Sequence, residues 1–360
     1  MISDAIRGSF VEYAADSGTE EIHVAIDPGV ELYAFVAIHS TELGPALGGC
    51  RCVVYHSVDD AIRDAVRLAQ GMSYKAALSR LPLGGGKAVL LRPRQIPDRQ
   101  AYFEAFGAFV EKLGGRYITS VDSGTGVEDM DAVARRTRHV TATSAHSGGS
   151  GNPSASTALG VYLGIEAAVR WKLKRSSLAG VHVAIQGVGH VGYALAGLLH
   201  EQGATLTLSD HNPDLGTACA RDFGARLVAP DDIYAVACDV FAPCALGGIL
   251  NAHTIPRLRA AIVAGSANNQ LATAEDGERL FRAGILYAPD YVINAGGLIH
   301  VALNDCAATR ARIGVIGERL TTIFDTSAQE GKAPQEVADS LARAILKVKT
   351  QGTQRKGDTL

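Results

Sequence analysis

The sequence has no block of basic residues longer than a few positions, and its formal net charge is -3. Proteins that grip a phosphate backbone carry basic patches or stripes, so nucleic acid is not an expected partner. No apolar run approaches the roughly 20 residues that a bilayer span needs, because Gly, Asp or Asn interrupts each one. The opening residues, MISDAIRGSFVEYAADSG, lack a basic stretch followed by an apolar one. No secretory leader is therefore expected, no membrane association either, and the expected compartment is the cytoplasm. Cysteine is sparse: Cys50, Cys52, Cys219, Cys238, Cys244 and Cys306, with no Cys-x-x-Cys pair. Disulfide frameworks belong to short secreted chains, so reduced thiols are expected in a chain of 360 residues. The spacing of Cys50, Cys52 and His56 is foreign to zinc sites and no second ligand pair follows, so no metal is expected.

What is present is apolar residue in quantity. A 47% hydrophobic share over this length can bury a large core, and the length suggests two domains. EIHVAIDP and ELYAFVAIHS, split at Pro28-Gly29, have the β-branched and aromatic content of strands. In SVDDAIRDAVRLAQGMSYKAALS the residues Ala61, Ile62, Ala65, Val66 and Leu68 recur at helical spacing, with Ser57 placed to cap. The glycines of PLGGGK lead into a strand, AVLL; RQAYFEAFGAFVEKLGG follows as a helix and RYITSVD as a strand. The alternation predicts an α/β fold. HSGGSGNP, residues 146–153, is the richest Gly/Ser/Pro run and is expected to be a hinge. Beyond it lie a helix, STALGVYLGIEAAVRWKL, and then strand VHVAIQ, turn GVGHVG, helix YALAGLLHEQG and strand ATLTLSD. DVFAPCA, AAIVAGSA and GILYAPD follow as short buried strands. An amphipathic helix is expected over about 334–349, and QGTQRKGDTL as a polar, disordered tail.

Gly187, Gly189 and Gly192 make a Gly-x-Gly-x-x-Gly, with His190 and Val191 inside it. The pattern counts here because a strand precedes it and a helix follows. The first glycine permits a tight turn, the second lets a pyrophosphate approach the backbone at a helix N-terminus, and the third lets helix and strand close. Asp210 ends the next strand, at the distance expected of a ribose ligand; its charge would repel a 2′-phosphate, so NAD is the expected cofactor. His211 beside it leaves NADP open.

Lys87 follows three glycines into an apolar strand, where a lysine is costly unless it has a use. Lys75 closes a helical pattern, and Asp122 stands at a strand's C-terminal end before SGTG. A carboxylate in that position can face a cleft or simply shape the turn.

The chain resembles the glutamate/leucine/phenylalanine/valine dehydrogenase family over nearly its whole length. LGPALGGCR, GMSYKAA, LPLGGGKAVL, VDSGTG, GNPSASTALGVY, IQGVGHVG, FAPCALGGILN, AGSANNQL and YVINAGGL occur in the family's order. The resemblance is greatest to the shorter members that act on monocarboxylic amino acids. It implies two domains with the active site in the cleft between them. Residues 1–145 would bind substrate, catalyse and mediate oligomerisation, completed by the C-terminal helix from about 332–360. Residues 146–331 would form a doubly wound, Rossmann-type NAD-binding domain. It implies a homo-oligomer, from dimer to octamer, acting on an amino acid or on a 2-oxo acid and ammonium. By match of motif, Lys75 binds the substrate carboxylate with backbone help from Gly48 and Gly49. Lys87 activates water, and Asp122 relays protons at the substrate nitrogen. Thr157, Ala267 and Asn268 lie near the nicotinamide, and Asn269 lies beside them at the substrate.

A free lysine, with a pKa of about 10.4, is a poor base at neutral pH. Burial after the glycines and a second cation at Lys75 would both lower it. The positions matching the family's side-chain pocket are Leu47, Met72, Ser120 and Leu298. The two leucines offer nothing to a distal carboxylate, so glutamate is not an expected substrate. Branched-chain amino acids are favoured and aromatic ones, phenylalanine or tryptophan, are the alternative; a methylene is worth only ~1–3 kcal/mol in such a pocket. The alternative of another class is a non-catalytic NAD-binding regulatory protein, which would have no chemical need for Lys75, Lys87 and Asp122. A hydroxy-acid dehydrogenase would normally use a His base paired with a carboxylate, and no histidine here has that setting.

Overall fold

A computed structural model describes residues 7–144, 152–303 and 305–357. The chain divides into two units: residues up to Asn152 together with those from Ala342 on, and Pro153–Leu341 between them. Most of the Gly/Ser/Pro run at 146–153 lies outside the described residues.

The first unit begins with α1 (Phe10–Ser17), β1 (Glu21–Asp27), β2 (Leu32–Ser40) and β3 (Ala46–Val53). Helix α2 (Val58–Leu78) follows, then β4 (Gly84–Leu91), α3 (Arg99–Lys112), β5 (Tyr117–Val121) and α4 (Val127–Ala134). The five strands form one sheet in the order β1-β2-β4-β3-β5. β2 runs antiparallel to both of its neighbours, β1 and β4, whereas β3 runs parallel to both β4 and β5.

Side-chain alternation sorts the two faces. Ala34, Val36 and Ile38 of β2, with Ala88 and Leu90 of β4, pack against Tyr102, Phe103 and Phe106 of α3. Phe35, Ala37 and Val89 turn to the other face and meet Ala61, Ile62, Ala65 and Val66 of α2. Lys87 shares the parity of Val89, so it faces α2; Arg51, odd-numbered where Cys50 and Cys52 belong to the α3 face, does too. The Ser57 hydroxyl caps α2 by accepting from the Asp60 N–H at 3.1 Å.

The second unit opens with α5 (Ser154–Leu173) and proceeds through β6 (His182–Gln186), α6 (His190–Glu201), β7 (Thr205–Ser209), α7 (Pro213–Phe223) and β8 (Arg226–Leu227). Then come β9 (Ala237–Pro243), β10 (Arg259–Val263), α8 (Ala274–Arg282) and β11 (Leu286–Tyr287). All paired strands in it are parallel, in the order β11-β10-β9-β6-β7-β8. Counted from β6 as first, that is 6-5-4-1-2-3, the doubly wound dinucleotide-binding order, with its switch point between β6 and β9. Helices α9 (Asp290–Ile293), α10 (Gly296–Leu303), α11 (Cys306–Gly314), α12 (Ile316–Glu330) and α13 (Pro334–Gly357) complete the chain. The last helix continues to Gly357, past Lys349, where the polar composition predicts a disordered tail.

Candidate active site

The first unit gathers its charge on the α2 face of the sheet. Lys87 lies on β4, only 4% exposed, and its ammonium forms an ion pair with the Asp122 carboxylate. Lys75, 8% exposed, sits in the last turn of α2, where a cation is favoured by the helix dipole. Burial pushes the Lys87 ammonium well below the usual lysine range, and the charges of Arg51 and Lys75 act in the same sense. Asp64 opposes them, and the ion pair with Asp122 also favours the ammonium.

The glycines of the site are demanded by contact. On Gly85 a Cβ would stand 2.0 Å from the Ser73 backbone nitrogen of α2, and on Gly86 2.8 Å from the Tyr117 ring. On Gly48 it would strike the Gly86 carbonyl oxygen at 1.6 Å, and on Gly49 it would reach the Cβ of Asp122 at 2.8 Å. The segments GGC and GGGK therefore press β3, β4 and α2 together and leave room for Asp122. The Tyr117 hydroxyl donates to the Gly48 carbonyl at 2.6 Å, bracing the same crossing from the opposite face. The turn carrying Asp122 is fixed by Thr125, whose hydroxyl accepts from the Asp122 N–H and donates to the Cys50 carbonyl, both at 2.9 Å.

Of the other residues expected at the substrate, Leu47 and Ser120 are buried on β3 and β5, and Met72 is half-buried on α2. Leu298 is buried on α10 of the second unit. Arg51, Asp64 and Tyr55 were not singled out by any motif. The Arg51 Nη1 donates to Asp64 Oδ2 at 2.8 Å, and the Tyr55 hydroxyl donates to the same oxygen at 2.5 Å. Arg51 follows GGC in LGPALGGCR, and no periodicity of the sequence marks it.

The second unit builds its site from backbone. Gly187 follows β6 with φ +91°, and a Cβ on it would lie 2.7 Å from that of Ala245, which follows β9. A Cβ on Gly192 would come within 2.1 Å of the Gly187 carbonyl oxygen, whereas one on Gly189 meets nothing within 4 Å. Helix α6 starts at His190, earlier than its apolar pattern suggests, so His190, Val191 and Gly192 form its first turn. Gly189 is its N-cap and no side chain caps it. Unclaimed N–H groups beside an open glycine make a cradle of the kind a pyrophosphate requires.

Asp210 is anchored on both sides. Its Oδ2 accepts from the Val188 N–H and its Oδ1 from the Asn212 N–H, each at 2.8 Å. A carboxylate has about four lone-pair sites, so hydroxyl donors can still bind it. Asn268 accepts from the Asn294 amide at 2.8 Å, and Asn269 takes a left-handed backbone with φ +52°. Ala267 is buried and its N–H donates to the Pro243 carbonyl at 2.9 Å. The Thr157 hydroxyl donates to the Pro153 carbonyl at 3.1 Å, and a Cβ on Gly297 would lie 2.6 Å from the Thr157 hydroxyl oxygen.

A doubly wound unit with this cradle, joined to a unit that buries a lysine against an aspartate, is the equipment of a dinucleotide-dependent dehydrogenase. Residues 20–139 match the family model described as "Glu/Leu/Phe/Val dehydrogenase, dimerisation domain". Residues 148–218 and 216–330 match "Glutamate/Leucine/Phenylalanine/Valine dehydrogenase". The leucine dehydrogenase of Geobacillus stearothermophilus is 46% identical over 327 residues, covering 90% of this chain and 89% of that one. The L-tryptophan dehydrogenase of Nostoc punctiforme is 43% identical over 339 residues, covering 92% and 94%. A crystal structure of L-tryptophan dehydrogenase from Nostoc punctiforme superposes with a TM-score of 0.79 at 38% identity, over 94% of this chain and 99% of that one. The chain belongs to the glutamate/leucine/phenylalanine/valine dehydrogenase family, whose members are NAD(P)-dependent amino-acid oxidoreductases.

Proposed function

We propose that this enzyme oxidatively deaminates an apolar L-amino acid to its 2-oxo acid and ammonium, and runs the reverse reductive amination, with NAD as cofactor and branched-chain side chains favoured. The observation that carries this reading is the ion pair of buried Lys87 with half-buried Asp122 on the sheet face that also receives Lys75. Gly187, Gly189, His190, Val191, Gly192 and Asp210 would hold the dinucleotide, with Thr157, Ala267 and Asn268 near its nicotinamide. When bound, it supplies the acceptor for the hydride leaving the substrate α-carbon.

Lys75 binds the substrate carboxylate, helped by backbone N–H groups at Gly48 and Gly49. Loss of hydride leaves an iminium carbon, to which water must add. Lys87 in its neutral form takes the proton from that water at Nζ. Asp122 carries protons to and from the substrate nitrogen through its carboxylate, so that ammonia leaves from a tetrahedral carbon. Burial of Lys87 supports the base role, because it makes the neutral amine available at a pH where an exposed lysine is fully charged.

Leu47, Met72, Ser120, Asn269 and Leu298 are assigned to the substrate. Leu47 and Leu298 are buried and apolar, so a glutamate side chain would bring a carboxylate with no charge partner from either. Similarity to leucine dehydrogenase at 46% supports the branched-chain reading; similarity to L-tryptophan dehydrogenase at 43% makes an aromatic amino acid the second reading. The match of residues 20–139 to a dimerisation domain supports a homo-oligomer. Cys50, Cys52 and Cys219, buried as free thiols, support a reducing compartment, the cytoplasm. Among the described residues no helix is long and apolar enough to cross a membrane. The test is a panel: NADH formation with each L-amino acid, and NADH consumption with the matching 2-oxo acids and ammonium. Leucine, valine or isoleucine should lead; turnover confined to glutamate, or none, overturns the reading.

A further inference from the structure

Lys87 and Asp122 are surrounded by a second tier of charge. Arg51 approaches from β3, Lys75 and Asp64 from α2 and Asp122 from the turn after β5, while Cys50 and Tyr117 lie on the opposite face of the sheet. On β2 the residue opposite Lys87 is Ala37. Burial pushes the Cys50 thiol and the Tyr117 phenol up, so both stay neutral. The operative charges are therefore Lys75, Arg51, Asp64 and Asp122.

Arg51 lies between the two carboxylates. Its Nη1 donates to Asp64 Oδ2 at 2.8 Å, and its Nε stands 3.5 Å from Asp122 Oδ1. That Nε is buried and makes no hydrogen bond among the described residues. Asp122 thus faces two cations: its Oδ2 is on Lys87, and its Oδ1, which accepts from the Ser123 N–H, also looks toward a buried Arg51 N–H that still lacks an acceptor. Asp64 holds the guanidinium in place, and the Tyr55 hydroxyl at 2.5 Å holds Asp64.

We propose that Arg51 is a positioning residue for the reaction: clamped by Asp64, it gives Asp122 a second cationic partner and sets the balance of charge around Lys87. When Lys87 gives up its proton, Asp122 keeps only uncharged donors, the Lys87 amine and the Ser123 N–H, and a half-buried carboxylate without a cation is costly. The Arg51 guanidinium, which cannot itself deprotonate, takes over that charge. Its cation also disfavours the charged form of Lys87, while Asp64 favours it. This rests on the reading of Lys87 as the base.

The test is the pH dependence of kcat/KM for oxidative deamination, using the best substrate of the panel. The acid limb reports protonation of the base in the free enzyme. Removing the Arg51 cation raises the affinity of Lys87 for its proton, so Arg51→Gln should move the acid limb to higher pH. Activity should fall roughly tenfold more at neutral pH than on the alkaline plateau. Arg51→Lys, which keeps the charge, should bring the limb most of the way back. Asp64→Asn removes a carboxylate that favours the ammonium, so its limb should move the opposite way. A limb that stays in place in Arg51→Gln and in Asp64→Asn, with activity lowered evenly across pH, overturns the proposal. If Arg51→Gln does not fold, the direction of the Asp64→Asn shift decides alone. Lys87→Ala separates the two failures: near-normal turnover there removes the base assignment itself, whereas an inactive Lys87→Ala beside an unmoved limb removes only the role of Arg51.

Discussion

In the first unit the candidate site is made of side-chain charge. Lys87, Asp122, Arg51 and Asp64 are linked in one chain of ion pairs, and glycines exist there so that the elements carrying those charges can close on each other. In the second unit the counterpart is made of backbone: an uncapped helix N-terminus, a left-handed glycine, and one carboxylate braced by two N–H groups. The difference follows from what each must do. Moving protons requires groups that titrate, and those must be buried to reach useful pKa values. Holding a pyrophosphate requires fixed N–H dipoles that do not titrate at all.

The sharpest break of this contrast is Lys87→Ala. Turnover should fall about 100-fold or more, because the base is gone. NAD binding, measured by calorimetry, should remain close to that of the parent, since the dinucleotide cradle is built from the other unit. Near-normal activity in this variant would remove the charge-based account of the first unit. A second comparison lies within the cradle. Gly192→Ala places a Cβ 2.1 Å from the Gly187 carbonyl and should lower thermal stability, by about 1–3 kcal/mol, along with NAD affinity. Gly189→Ala meets nothing within 4 Å, so it should weaken NAD binding while leaving the melting temperature nearly unchanged. Equal stability loss in both would mean that the turn is strained in a way the contacts do not capture.

Asp210→Ser should have a smaller effect. Without the carboxylate a 2′-phosphate is no longer repelled, so the preference for NAD over NADP should narrow; a parent enzyme that already prefers NADP would contradict the assignment. The smallest effect concerns side-chain fit. Leu298→Ala removes methylenes from the proposed pocket, and branched substrates should lose ~1–3 kcal/mol per gap of that size. The ratio of kcat/KM for phenylalanine over leucine should rise. A flat ratio, with both substrates equally impaired, would make Leu298 a packing residue of α10.

The second unit was the more legible of the two in sequence. Its strands before GVGHVG, at ATLTLSD and at DVFAPCA are short apolar runs ended by turn residues, and each has a structural counterpart in β6, β7 and β9. In the first unit, α2, β4 and the placement of Lys75 and Lys87 were legible for the same reason. Strand β3 was not. ALGGCRCV carries two glycines and an arginine and has little strand propensity; it becomes a strand because it fits between β4 and β5. The Arg51–Asp64 pair was invisible too, because 13 residues separate its members and only the packing of α2 on the sheet joins them. Helix α1, eight residues long, and β8, two residues long, are too short for any periodicity to show.

The second unit interrupts the first: the chain departs after Asn152 and rejoins at Ala342, 189 residues later (153 through 341). On the ribosome this decides which part can finish first. At ~5–20 residues per second the intervening stretch takes roughly ten to forty seconds to synthesise. Throughout that interval the first unit waits for its final segment. Ala342, fully buried, and Leu346, which shares a groove with Gln70 and Tyr74, are still unmade. The doubly wound unit has all its strands before then, so the part proposed to hold the cofactor can be complete while the part proposed to do the chemistry still lacks its final segment.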